Sequence, residues 1–397
     1  MIKRVEWGMA RNKRQIISKG TLLIVIIGIV SLFGDFTYEG ARSIIPQYFA
    51  ALGGSALLLG LVLGGSEFAG YAVRIFSGRI ADRTKHYWSM VFFGYAVNLF
   101  AVPLLAFTGN YLEAAVLIFM ERIGRGIRVP PRDYILSNAA TGGRVGKAFA
   151  IEEGLDQTGA IIGPLIMAIV LFYKSGAYRF AFSVLALPAI TAFIVLIAAY
   201  AYYGSRKLDL KVNAPAKVMS SRNFMLYSIA IAISAAGLYQ AAFVLYGAGV
   251  NGVTSYIIPI IFLVAMASEG AFGFVFGMLY DRIGRNLVYS GILLAVFIPI
   301  FLLGGSLEFL FIAALLFGAV TGIQDTVMRS VVGSMIPSEK RGSAFGIFNM
   351  FYGFGLLVSG VVVGYLFYSA YYIIAYIFIM QMLSMIILNR SFRNKGS

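Results

Sequence analysis

Apolar residues in this chain run on in long unbroken stretches, and polar residues interrupt them at short intervals. Twelve stretches stand at approximately 20–50, 57–78, 88–108, 111–138, 146–173, 177–203, 221–248, 253–277, 287–305, 308–336, 342–368 and 370–389. Each is about 20 residues or longer, enough for a helix to cross a hydrocarbon core of about 30 Å. Continuous runs favour helices over a barrel, whose segments are short and alternate apolar with polar. The predicted fold class is therefore an all-α membrane protein with twelve transmembrane helices. Composition agrees: 60% of residues are hydrophobic and 12% charged, where soluble domains carry charge on about a quarter. The 45 glycines support close helix packing, with small-residue spacings such as Gly60–Gly64 and Gly159–Gly163.

The polar intervals repeat. Gly78-Arg-Ile-Ala-Asp82-Arg83 returns as Gly277-Met-Leu-Tyr-Asp281-Arg282-Ile-Gly-Arg285, with the aspartates 199 positions apart in a chain of 397. The segment from Arg125 to Ile151 aligns without gaps on Thr321 to Ile347, at an offset of 196. This duplication predicts two pseudo-symmetric six-helix bundles, 1–203 and 221–397, joined by a polar linker at 204–220.

A net charge of +15 would suit nucleic acid, but its placement points elsewhere. Basic residues crowd the N-terminus, alternate loops such as those holding Arg79, Arg83 and Lys85 or Arg282 and Arg285, the linker, and the C-terminus. The opposite loops hold only Lys174 and Arg179. The positive-inside rule then puts both termini in the cytoplasm of a multi-pass plasma-membrane protein, with anionic lipid rather than DNA as the basic partner. There is no cysteine and one histidine, His86, in a basic loop. Neither a metal nor any other cofactor is expected. The first apolar run is too long for a cleavable signal peptide.

The two basic motifs resemble the signature of the major facilitator superfamily, which stands between helices 2 and 3 and again between 8 and 9. The second copy is nearly complete; the first has Lys85 where glycine is expected and His86 where arginine is expected. Arg122-x-x-Arg125-Gly126 is similar to the family's helix-4 motif, and Gly159-x-x-x-Gly163-Pro164 to the helix-5 motif linked to antiporters. The stretch Arg125 to Asp133 looks like that of a prokaryotic branch of largely uncharacterised members. The resemblance spans the whole chain. It implies a monomeric secondary transporter in which the loop aspartates latch the halves together in the outward-open state. Asp82 would meet the start of the eleventh run near Gly342, and Asp281 the start of the fifth near Gly146. Arg83, Arg282 and Arg285 would complete the two gating loops, with Asp133 as ion partner to Arg83 or Arg79.

Ionisable residues inside a bilayer cost several kcal/mol unless paired or hydrated, so they are functional candidates. The first run carries Asp35, Glu39 and Arg42 on one face, the second Glu67 and Arg74, and the fourth Glu121, Arg122, Arg125, Arg128 and Arg132. The fifth adds Glu152, Glu153 and Asp156, while the second half offers only Glu269, Asp325 and Arg329. In the repeat alignment Arg128 falls on Gln324, Glu152 on Phe348 and Asp156 on Tyr352. Asp35 and Glu39 are the leading protonation sites with Arg122 as modulating cation, and Glu152 and Asp156 come second. Arg42, Arg125, Tyr239, Gln240, Asn349 and Tyr352 are candidate substrate contacts. Arg128 and Arg132 approach a membrane surface and are expected to snorkel toward headgroups, and Pro130-Pro131 to break or bend the fourth helix.

The function expected is proton-coupled efflux of a small organic molecule by alternating access. The alternatives are proton-coupled uptake and translocation of a lipid or amphiphile. An enzyme would need a metal-ligand or nucleophile–base set, which one peripheral histidine and no cysteine do not supply. A receptor would add a soluble domain, and a channel would not need paired latches.

Overall fold

The computed structural model describes residues 19–139, 145–204, 222–303, 305–337 and 341–393, and the description below concerns these. The first run forms α1 (Lys19–Arg42) and α2 (Ile45–Ala51). The next four are single helices: α3 (Ala56–Thr84), α4 (Tyr87–Leu104), α5 (Tyr111–Ala139) and α6 (Val145–Tyr173). The sixth splits into α7 (Tyr178–Val184) and α8 (Ala186–Tyr203), and the seventh into α9 (Arg222–Ala236) and α10 (Ala241–Val250). Then follow α11 (Ile257–Ile283), α12 (Val288–Leu302), α13 (Leu307–Ile323) with α14 (Arg329–Met335), α15 (Arg341–Tyr365) and α16 (Ala370–Arg393).

Ten segments among the described residues are long and apolar enough to cross a membrane. One of them, Ile257–Phe301, holds two of the twelve runs. Its two parts, α11 and α12, both pack on α13, so the chain must turn between them. α5 carries too many charges to be among the ten. It nevertheless spans the same depth, packed against α3 and α4.

Packing follows the sequence repeat. In the first half α1 packs on α6 and α8, α5 on α3 and α4, and α4 on α8; in the second α9 packs on α15 and α16, α13 on α11 and α12, and α12 on α16. Each pair has its counterpart one repeat later. Two contacts join the halves along their length, α3 with α15 and α6 with α11, and these too are counterparts. The fold is two pseudo-symmetric six-helix bundles.

Two local expectations are corrected. The basic motifs are not loops where their acids stand: Asp82 and Arg83 lie in the last turn of α3, and Asp281 and Arg282 in that of α11. Each helix stops at a residue of positive φ, Lys85 (φ 60°, ψ 12°) and its repeat mate Gly284 (φ 72°, ψ −154°). Nor does Pro130-Pro131 end α5, which runs on to Ala139. Pro130 has no N–H for the Gly126 carbonyl, and the Ser77 hydroxyl of α3 donates to that carbonyl instead, at 2.8 Å.

The first and seventh runs, which are repeat mates, are both interrupted past their middle, at residues 43–44 and 237–240. Their outer pieces, α2 and α10, pack on each other at the face opposite the basic motifs. Hydrogen bonds between the halves gather at that far face. Tyr246 donates to the Gly54 carbonyl at 3.1 Å, and the Ser175 and Ser255 hydroxyls meet at 3.1 Å. Here α3 and α15 touch backbone to backbone, because a Cβ at Gly60 would collide with the Gly360 carbonyl.

Candidate functional site

Between the halves lies a cavity of about 1260 Å³. Its wall runs from Leu63, Leu238 and Leu356 in the interior to Arg79, Asp82, Gly342 and Ser343 at the basic-motif face. The closed far face and the long reach toward the basic face describe a molecule open on one side. Ten of the chain's 17 acidic residues line this one cavity. Every basic residue in its wall is an arginine. Asp35, Glu39 and Arg122 are all in its wall.

α1, α3, α4 and α5 hold a continuous chain of charge. Glu39 pairs with Arg42 at 2.8 Å, and Arg42 reaches Glu67 at 3.6 Å. Glu67 takes Arg122 Nε at 3.0 Å, and Arg122 also holds Glu121 at 3.2 Å. Glu121 accepts from Asn98 at 2.8 Å, and the Asn98 oxygen in turn accepts from Arg128 at 3.3 Å. Arg122 is only 4% exposed. A second cluster lies nearer the basic face, where Arg132 bridges Glu152 (2.7 Å) and Asp133 (2.9 Å) and donates to Ser31 (3.1 Å).

Asp35 is joined to neither chain. Its carboxyl meets that of Asp156 on α6 and accepts the Tyr38 hydroxyl proton. The approach is possible because α6 presents glycines to α1. A Cβ at Gly159 would strike the Leu32 carbonyl, and one at Gly163 would stand 2.7 Å from the Gly40 nitrogen. The Gly159–Gly163 motif thus works as a contact surface that sets two aspartates together. The guanidinium of Arg125, over the Tyr38 ring at 4.7 Å, is the cation that acts on Asp35.

Several expectations are redirected by this geometry. Arg122 is taken by Glu67 and Glu121 rather than by Asp35 or Glu39, so Arg125 is the cation beside Asp35. Asp133 pairs with Arg132, not with Arg83 or Arg79. Neither Arg128 nor Arg132 snorkels. Arg128 is 1% exposed and stacks on the Tyr95 ring at 4.3 Å. Glu152 is held by Arg132 and Ser31.

Of the second-half candidates, Gln240, Asn349 and Tyr352 line the cavity, with Tyr352 donating to Gln324 at 2.6 Å. Tyr239 does not; it is buried in the apolar core beside Phe243. Gln324, the repeat mate of Arg128, opens a π-helical turn, residues 324–328, that connects α13 to α14. Glu269 accepts from Thr321 at 3.0 Å, and Asp325 pairs with Arg329 at 2.8 Å. These groups make the second half more polar than the amides and aromatics alone suggest.

Arg83, Asp281 and Arg282 are exposed and outside the cavity wall. Asp82 accepts from Tyr87 of its own half at 3.1 Å, and Arg285 stacks on Phe392 at 4.6 Å. The latch expected of the outward-open state is not engaged at Asp82 in this one. The side chains of residues 145–147, near which Asp281 was expected to dock, lie outside the described set.

The family model of the Major Facilitator Superfamily matches residues 24–269 and 228–395. The chain belongs to the major facilitator superfamily. An uncharacterised protein of Mycobacterium tuberculosis is 32% identical over 352 residues, covering 87% of this chain and 86% of the relative. An uncharacterised MFS-type transporter of Methanocaldococcus jannaschii is 26% identical, covering 86% and 88%. The fosmidomycin resistance protein of Escherichia coli is 24% identical, covering 68% of each. Among solved structures, a bacterial homologue of the human lysosomal transporter Spinster, inward-facing and unoccupied, superposes with a TM-score of 0.73 at 12% identity, covering 96% and 100%. As a facilitator the molecule is a multi-pass transporter, and the cavity between its halves is where a small molecule would be held.

Proposed function

We propose that this chain is a proton-coupled secondary transporter moving a small organic molecule by alternating access. The observation that carries the reading is a cavity open on one side with the Asp35–Asp156 carboxyl pair in its wall. Residues 1–203 and 221–397 would rock as two bodies joined by 204–220, in a monomer. The basic face would be cytoplasmic, together with both termini, in the plasma membrane. Two carboxyl groups in contact hold one proton between them more readily than two negative charges. Rocking exposes that pair to one compartment and then the other. The proton is the coupling ion, Asp35 and Asp156 its carriers, and Arg125 the cation that competes with it. Glu39, Glu152 and Arg122 hold the surrounding charge in register. Arg42, Gln240, Asn349 and Tyr352 are substrate contacts.

Direction follows from whether substrate and proton compete or load together. Competition gives export by exchange, a reading supported by the similarity to the fosmidomycin resistance protein. Joint loading gives uptake. The test is flux of a panel of labelled compounds in proteoliposomes, in both directions, under an imposed pH gradient. Asp35→Asn and Asp156→Asn should each abolish gradient-driven flux while exchange without a gradient persists. Gradient-driven flux that survives in both variants removes the pair from coupling.

A further inference from the structure

Leaving aside Arg79, which is exposed at the basic face, three arginines of the cavity wall are set apart from the rest. Arg42, Arg122, Arg132 and Arg329 each hold a carboxylate within 4 Å. Arg74, Arg125 and Arg128 have no such ion pair among the described residues. Each lies on a tyrosine ring instead: Arg74 on Tyr71 at 4.9 Å, Arg125 on Tyr38 at 4.7 Å, Arg128 on Tyr95 at 4.3 Å. Arg74 Nε and Arg128 Nη1 are buried with no hydrogen-bond partner among the described residues, although Arg128 Nε donates to Asn98 at 3.3 Å. Stacking fixes the plane of a guanidinium but leaves its N–H edge free, which is the edge that receives a carboxylate, sulfonate or phosphate. Arg125 and Arg128 stand one turn apart on α5, and α3 packs on α5, so Arg74 joins them from the neighbouring helix. Across the cavity the second half presents Phe262, Met266 and Phe317. Unspent cations on one wall and an apolar patch in the wall opposite, beside the polar Gln240, Glu269 and Thr321, are complementary to one kind of molecule.

We infer that the substrate is an organic anion with an apolar body, its charged group held by Arg74, Arg125 and Arg128 and its body set against Phe262, Met266 and Phe317. This rests on the transport reading above and decides the sign of its coupling. The Asp35–Asp156 pair faces Tyr38 and Glu39 on α1, Arg125 and Arg132 on α5, and Glu152 on α6, while Arg128 lies 5.9 Å from the Tyr38 ring. An anion settling against Arg125 takes up the positive charge that favours ionised Asp35, so the pair holds its proton more firmly. By linkage the proton strengthens the anion's binding to the same degree. Anion and proton load together, which makes the cycle cotransport rather than exchange.

The probe is benzenesulfonate, an aryl anion that does not itself titrate in the working range, with benzyltrimethylammonium as its cationic counterpart. Binding is measured calorimetrically on the purified full-length protein. Benzenesulfonate should bind saturably and more tightly as the pH is lowered, and Asp35→Asn should remove that pH dependence. Arg74→Gln, Arg125→Gln and Arg128→Gln should each weaken it about tenfold, the loss of one charge-assisted bond. Arg125→Lys, which keeps charge but not the fork, should recover part. Saturable binding of the cation instead, no saturable anion binding, or an anion affinity indifferent to all three glutamines overturns the inference. Gate movement measured on the same protein without ligand separates the two readings. A protein that rocks but ignores the anion sinks only this one, and a protein that binds it but never opens its far face sinks transport.

Discussion

Arg122 shows how much a single buried charge carries. It sits 4% exposed between Glu67 and Glu121; Glu121 has no other ion pair among the described residues, and Glu67 has only the longer one to Arg42 at 3.6 Å besides. Removing one member of a buried ion pair costs about 3–5 kcal/mol, because the remaining charge stays buried without a partner. Arg122→Gln is expected to lose that much in thermal or denaturant unfolding of the solubilised protein, and Glu67→Gln in the same chain to restore part. A loss confined to transport with full stability would reassign Arg122 to the substrate. Lys85 is a smaller case with the opposite sign. It holds a left-handed helical conformation (φ 60°, ψ 12°) that crowds its side chain, so Lys85→Gly should raise stability by about 1 kcal/mol. The departure from the family motif was readable at this residue, and the backbone that makes it costly was not.

At the scale of elements, glycine rows decide which helices meet. Gly60 and Gly360 let α3 and α15 touch at the closed far face, and Gly159 and Gly163 bring α6 onto α1 beside the aspartates. Gly360→Leu should therefore prop the far face open, seen as a population shift in distance measurements, while leaving the cavity's acids in place. Gly159→Leu should instead separate Asp35 from Asp156 and uncouple proton movement without blocking the gate. Equal effects of the two on gating would show that these rows are not independent. Both spacings are visible in the sequence, but a spacing names a surface and not the helix that will cover it. The same limit applies along α5. Its periodicity puts Arg122, Arg125, Arg128 and Arg132 on one broad face, yet the rotation of the helix assigns each to different partners. Arg128 and Arg132 were expected to snorkel because they lie toward a helix end. They stay inside because Tyr95 and Glu152 meet them there.

For the whole molecule, the closed far face and the open basic face are one of at least two arrangements that alternating access requires. The chain has no native cysteine, so labels can be placed cleanly. Thr84→Cys with Arg282→Cys reports the basic face, and Ser55→Cys with Asn251→Cys the far face, all four positions being exposed. The two distances should change in opposite directions as pH or ligand is varied. Asp82→Asn and Asp281→Asn should shift the balance toward the arrangement seen here, since the latch they would form belongs to the other one. Distances that stay fixed in every condition would remove rocking from the account.

Twelve spans, a half-chain duplication and a basic side were all legible in one dimension, because hydropathy and charge act on a helix through its own residues and the solvent around it. The gathering of acids and arginines into one cavity was legible too, since an ionisable group in a bilayer has few other places to go. Which acid meets which arginine was settled only in three dimensions. Asp35 and Asp156 are 121 residues apart, and Tyr239 and Gln240 are neighbours on opposite sides of a cavity wall. Such pairings depend on the rotation and depth of helices that share no local sequence, and those are set by the packing of the whole bundle.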